Sequence, residues 1–407
     1  MLEKPLICLF FTIPALVRAL PLSPHHQPSA MDKKALTEKI KAHLQVLCSE
    51  IGERRVGSEE NRRATAYAKR MLEKSGWQTE SVELSVMDWK TEGATLQCGG
   101  RSFEVLSSHY SLGCSAQGEL SAIRTISQLE QTDITNKIVL LYGEIAAQQI
   151  APKNFPFWNP EEHQHLINVL EKGNPLALVC ATERNPAVAG GAYPFPLFED
   201  GDFDIPSVYM KDTEGEKLLP CAGQTALLIS RAQRIPETAF NVTGKKSDRT
   251  KDRIVITAHI DAKIGTPGAI DNGTGVAVLL VLAELLKDHS GKAPVELVFF
   301  NGEDYYAAPG QIQYVEQNAG HFHNIRLNIN IDGAGYREGL SSFSPFDLPA
   351  DIRDLFDRVI SHNPGLVEGL PWYQGDHSIF LQNGCPAIAV SSQWFIENMD
   401  SQQITHT

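Results

Sequence analysis

Leu36, Ile40, Leu44 and Leu47 recur at three- and four-residue intervals, which predicts an amphipathic helix over about 33–49. Ser58 stands before Glu59 and Glu60, a cap followed by acids in a positive first turn. Gly76 is a fitting stop for that second helix. Val82, Leu84 and Val86 alternate with polar residues, the period of a strand.

The texture changes over 93–239. Short apolar runs, 138-IVLLY-142 and 176-LALVCA-181, are separated by loops rich in proline and aromatics, such as 152-PKNFPFWNP-160 and 193-YPFPLFEDGDFDIP-206. Helical periodicity is sparse, so the stretch reads as a β-rich module inserted between 31–92 and 240–407. His163 and His165 stand two apart, but the neighbouring Pro and Glu residues suggest a solvated turn rather than a metal site.

From 240 onward strand, loop and helix repeat. The strands are 253-RIVITA-258, 295-VELVFF-300, 325-IRLNINI-331 and 386-PAIAVSS-392. Near-continuous apolar runs suit strands covered on both faces. The segment 274–287 is apolar on nearly every side, which predicts a buried helix too short to span a membrane. The fold class expected is therefore α/β, a mostly parallel mixed sheet with helices on both faces. Ligands of such sheets bind beyond the carboxyl ends of the strands.

The 407 residues exceed one ordinary domain, in keeping with two units or one unit with a large insertion. A net charge of −13 argues against a nucleic-acid surface. Seven cysteines, widely spaced and without a CxxC pair, indicate neither a disulfide framework nor a cysteine zinc site. Two readings of the amino terminus stay open. Met31 opens a clean helix and would start a cytoplasmic protein, the preferred reading, with 1–30 an over-called extension. Alternatively, residues 1–19 act as a signal peptide and the protein is secreted or periplasmic.

Chemistry gathers just after the strands. His259 and Asp261 follow the first, Glu303 and Asp304 the second, Asp332 the third, and His406 lies beyond the fourth. Asp271 sits in a glycine-rich loop before the buried helix. Carboxylates converging on one crevice repel one another, and divalent cations would remove that cost. Asp271, Asp304 and Asp332 carry three negatives. Mixed imidazole and carboxylate donors favour zinc.

As a set, "HID", "GAIDNGTG", "NGED", "NIDG", "GDHSIF" and a terminal "THT" resemble segments of the co-catalytic zinc exopeptidases (metallopeptidase family twenty-eight), over about 35–92 and 240–407. That family includes bacterial leucyl aminopeptidases and plasma glutamate carboxypeptidase. The resemblance implies a zinc-exopeptidase fold of the phosphorylase/hydrolase-like kind, with a protease-associated domain at 93–239. It implies two zinc ions, bridged by Asp271, with His259 and Asp332 completing one site and Asp304 and His406 the other. Glu303 matches the general base and Asp261 the acid that orients His259. Asp376 and His377 would support the pocket or contact substrate rather than bind metal. The implied function is hydrolysis of peptide substrates by a two-metal-activated water, an aminopeptidase by frequency in the class. The alternatives are a carboxypeptidase or dipeptidase, a glutaminyl-cyclase-like single-zinc acyltransferase, or a catalytically impaired binding relative. Oligomeric state stays unknown. Two departures stand out. The family commonly has two glutamates where this chain has Glu303-Asp304, and it normally continues into a closing helix after the position of Thr407, so a carboxy-terminal truncation is expected.

Overall fold

The computed structural model describes residues 33–147, 150–151, 153, 155–157, 159–182, 203–246, 251–289, 293–305 and 307–398. The chain divides into two compact units, Met1–Ser85 with Thr238–His406, and Val86–Glu237. The joins expected from the change of texture stood at 92/93 and 239/240. Strand β1 runs unbroken over Gln78–Cys98, so no structural break marks residue 92.

In the Val86–Glu237 unit, the strands are β2 (Arg101–Phe103), β3 (Leu106–Ser107), β4 (Cys114–Ile123), β5 (Ile138–Tyr142), β6 (Ala177–Thr182), β7 (Ser207–Lys211) and the first part of β8 (Thr225–Lys246). β4, β5, β6 and β7 lie side by side and parallel. The helix Ile126–Gln131 connects β4 to β5, the helix Glu161–Gly173 connects β5 to β6, and the helix Asp212–Leu218 follows β7. The helix Glu161–Gly173 replaces the turn expected around His163 and His165. Pro160 and two first-turn glutamates start it, and Leu166, Ile167 and Leu170 give it a buried face. His163 Nδ1 accepts from the Ala151 amide at 3.0 Å. His165 Nε2 lies 2.7 Å from Glu130. Both histidines thus already have partners.

The other unit holds the parallel core. Its later strands are β9 (Arg253–His259), β10 (Val295–Phe300), β11 (Ile325–Ile331), β12 (Ser341–Phe346), β13 (Leu366–Glu368) and β14 (Ala387–Ser392). Their order is β13-β12-β14-β11-β9-β10, with the second part of β8 beside β10. β9 is parallel to both β10 and β11, and β11 is parallel to β14. β12 runs antiparallel to β14 and parallel to β13, and β8 runs antiparallel to β10. Alternate residues face opposite layers, as pleating requires. Ile254, Ile256, Ala258, Leu297, Phe299, Ile329, Ile331 and Val390 join a core with the helices Lys33–Leu44, Glu59–Lys74, Thr274–Leu285 and Ala350–Ser361. On the other face Phe300, Tyr314, Phe322 and Phe380 pack ring against ring. The helix Thr274–Leu285 is buried along almost its whole length, as its unbroken apolar sequence requires. Ser58 caps its helix as expected, accepting from the Asn61 amide at 3.0 Å. The one acid within β10, Glu296, is neutralised inside the sheet by Arg253 at 2.8 Å. No helix among the described residues is long and apolar enough to cross a membrane.

Candidate metal centre

Parallel register brings the ends of β9, β10 and β11 together. His259 is the last residue of β9 and pairs with Phe300, the last of β10. Asp332 follows β11 directly, its amide held by the Val390 carbonyl at 2.9 Å. Asp271 arrives on the loop between β9 and the apolar helix. Asn272, fully buried, anchors that loop: its Nδ2 donates to the Ile331 carbonyl at 2.8 Å, one residue before Asp332, and its Oδ1 accepts from the Gly275 amide at 3.1 Å.

The result is a compact donor cluster. His259 Nε2 lies 3.0 Å from Asp271 Oδ1, 3.5 Å from Asp332 Oδ1 and 3.9 Å from Glu303 Oε2. One donor atom from each of His259, Asp271 and Asp332 falls within 4.8 Å of the others, a spacing that one cation can bridge. His259 is wholly buried, yet neither ring nitrogen makes a hydrogen bond. Buried polar atoms are nearly always satisfied, so this pair of nitrogens is suited to a further partner. Asp304 is buried beside them, and Lys263 Nζ donates to its main-chain oxygen at 2.5 Å. Among the described residues the structure thus brings together His259, Asp261, Asp271, Glu303, Asp304 and Asp332. His406, the remaining expected ligand, lies outside the described residues.

Electrostatics explains why such a cluster needs cations. Burial pushes the Glu303 carboxyl well above its ordinary range, His259 opposes this, and Asp332, Asp304 and Asp376 add to it. Burial also raises Asp332, with His259 opposing and Asp271 and Asp304 adding. For His259, burial disfavours the charged ring, but Asp332, Asp261 and Asp271 outweigh it and hold the imidazole well above its usual value. Without cations, protons do the neutralising. Divalent ions would displace them, because ligands bind metal in their deprotonated forms. The donor set therefore fits a metal, and its imidazole and carboxylate chemistry fits zinc.

Asp261 does more than its spacing predicts. It sits 3.6 Å from His259 Nδ1, and its carboxylate also receives the amides of Gly302 at 2.8 Å, Glu303 at 3.3 Å and Asp304 at 3.0 Å. One side chain thus faces the ring of His259 and also grips the Glu303–Asp304 loop. That loop needs glycine at 302: φ is +114°, and a Cβ would stand 2.4 Å from the Pro309 ring.

Asp376 and His377 divide in role. Asp376 is buried and accepts from Gln311 Nε2 at 2.6 Å, and burial, opposed by His259, raises it to about 7. His377 is packed between Trp372 and Phe346, its Nε2 2.8 Å from the Trp372 carbonyl, and burial pushes it down to about 4. Such a ring is neutral packing material.

Several contributors carry no signal in the sequence. Arg54, beside Arg55 in the sequence, is fully buried behind the cluster. Asn61 and Asn301 exchange reciprocal amide bonds at 2.9 and 2.8 Å, and Asn241 Oδ1 accepts from the Asn301 amide at 3.0 Å. Asn241 and Asn272 both head glycosylation sequons, but both side chains are bonded inward and buried. A groove of about 500 Å³ lined by Arg253, Glu296 and Tyr314 lies at the starts of β9 and β10, away from the acids, so volume alone does not locate the chemistry.

Comparison with known proteins agrees with this geometry. Residues 241–407 match the model of peptidase family M28. A probable lipoprotein aminopeptidase, LpqL, of Mycobacterium tuberculosis is 22% identical over 89% of this chain and 66% of its own length. The chain spans 66% or less of the length of the curated relatives that it matches. Among solved structures, an aminopeptidase from Aneurinibacillus sp. strain AM-1 superposes with a TM-score of 0.70 at 21% identity, covering 87% of this chain and 84% of that one. A zinc aminopeptidase from Bacillus subtilis gives a TM-score of 0.68 at 18% identity, covering 91% of this chain and 88% of that one. The match to the model of peptidase family M28 begins within β8 and runs through every strand end that carries a donor, and the likeness of fold to the solved structures extends beyond it.

Proposed function

We propose that this chain is a zinc-dependent exopeptidase that uses two metal ions per chain and acts as an aminopeptidase. The observation that carries the reading is the convergence of His259, Asp271 and Asp332 within 4.8 Å, with Glu303 3.9 Å from the same ring nitrogen. His259, Asp271 and Asp332 would hold one ion. Asp271, Asp304 and His406 would hold the second. Bound there, zinc supplies a Lewis acid that polarises the scissile carbonyl and acidifies water.

The chain's own groups supply the rest. Glu303 stands at the rim of the cluster with its side chain 14% exposed, open enough to meet water and substrate. Its carboxylate would take a proton from the attacking water and pass it to the leaving amine, general acid–base work worth about 10²–10⁴-fold. Asp261 keeps that carboxylate in register by holding its amide. His259 is fixed by the strand end and by burial on all sides, so its Nε2 points at the acids without searching.

The test is an activity screen of the full chain, zinc-loaded and chelator-treated. L-leucine p-nitroanilide, an N-acetylated counterpart and an N-blocked dipeptide with a free carboxylate serve as substrates, and metal content is measured in parallel. The expected result is two zinc ions per chain and hydrolysis only where the amine is free. Cleavage of the N-blocked dipeptide alone would make it a carboxypeptidase. One zinc and no hydrolysis would point to the acyltransferase reading.

A further inference from the structure

We propose that Arg54 is a positioning residue for the metal cage, holding the loop of His259 and the loop of Asp271 in fixed relation. The inference rests on the reading of His259, Asp271 and Asp332 as metal ligands.

The guanidinium is fully buried, and its donors are spread over five main-chain carbonyls. Nε donates to Ile260 at 2.9 Å, between His259 and Asp261. Nη1 donates to Pro267 at 2.6 Å and Nη2 to Gly268 at 2.9 Å, at the head of the loop that carries Asp271. Nη1 also reaches Leu47 and Gly52, both at 3.2 Å, tying the cage to the amino-terminal helical segment. Planar, fork-shaped geometry makes this possible, and no other side chain presents so many donors in one plane.

The surroundings are built for it. Gly268 has φ +55°, and a Cβ there would lie 2.9 Å from Arg54 Nη2 and 2.4 Å from the Cβ of Ala262. Glycine is what lets the loop close onto the guanidinium. None of Arg54's described hydrogen-bond acceptors is a carboxylate. Asp261 and Asp304, the acids that favour its charge, are bound up with the site itself.

Two roles predict opposite signs. As a charge alone, Arg54 would repel a divalent ion, and removing it would tighten metal binding. As a positioning residue, its removal would loosen binding. Lysine keeps the charge but has only three donors on a compact head, so it cannot span both loops.

The experiment measures zinc affinity of the full chain by competition with a chelating dye, and the visible absorption spectrum of the cobalt-loaded protein. Arg54→Lys, Arg54→Met and Leu279→Ala are compared with the parent. Leu279 is buried in the apolar helix and makes no part of the cage, so it reports general destabilisation. The expected result is at least a tenfold loss of zinc affinity and a changed cobalt spectrum in both Arg54 variants, with neither change in Leu279→Ala. Should Arg54→Met not fold, Arg54→Lys carries the test. Unchanged or tighter binding in Arg54→Lys overturns the inference, as does an equal loss in Leu279→Ala. A parent chain that binds neither zinc nor cobalt sinks the metal reading itself, and this inference with it.

Discussion

At Asp261 a single carboxylate accepts from three successive main-chain amides, 302 to 304, while facing the ring of His259. Asn at 261 would turn one acceptor into a donor against those amides. Asp261→Asn is therefore expected to weaken zinc binding by about 10–100-fold, the usual leverage of groups that orient ligands. Isothermal titration with zinc checks this, and an unchanged affinity would contradict it. Glu303 behaves differently, because it would move protons rather than bind metal. Glu303→Gln is expected to keep its zinc content and lose about 10²–10⁴-fold in kcat. Near-parental turnover by that variant would remove Glu303 from the mechanism.

Elements set where those residues stand. The helix Thr274–Leu285 is buried along nearly its whole length. Leu279→Ala is expected to destabilise the protein by about 2–5 kcal/mol, the cost of a buried cavity, as read by urea denaturation. At the start of the short helix His377–Gln382, His377 is held neutral with its pKa at about 4. Its folded value lies below the unfolded one of about 6.5, so the unfolded chain takes up more protons in between. Its contribution is intact above about pH 6.5 and is lost progressively as pH falls toward 4, on the order of 3 kcal/mol in all. His377→Phe keeps an aromatic ring between Trp372 and Phe346 and should flatten that stretch of the stability–pH curve. An identical curve for parent and variant would refute the assignment.

For the whole molecule, the acids at the sheet edge couple metal to stability. Cations that bind the folded cluster and not the unfolded chain stabilise it by mass action, about 2.7 kcal/mol at one hundred times Kd. Treatment with a chelator should lower the thermal midpoint of the full chain, and zinc should restore it. A midpoint indifferent to both would mean that the cluster holds no metal.

Periodicity and apolar runs were enough to predict the parallel strands, the buried helix after Asp271 and the residues that follow each strand, because a strand covered on both faces has nowhere to place polar side chains. Spacing after those strands likewise marked His259, Asp271, Glu303, Asp304 and Asp332 as neighbours. The helix at Glu161–Gly173 escaped because its acids and proline look like a turn when its buried face is unknown. Register, β9 beside β10 and β11, is what turned neighbours in pattern into donors a few ångströms apart. Arg54, Asn61 and Asn301 could not be read locally at all. Their partners lie more than two hundred residues away for the main contacts, and a polar residue looks the same in sequence whether water or a folded backbone satisfies it.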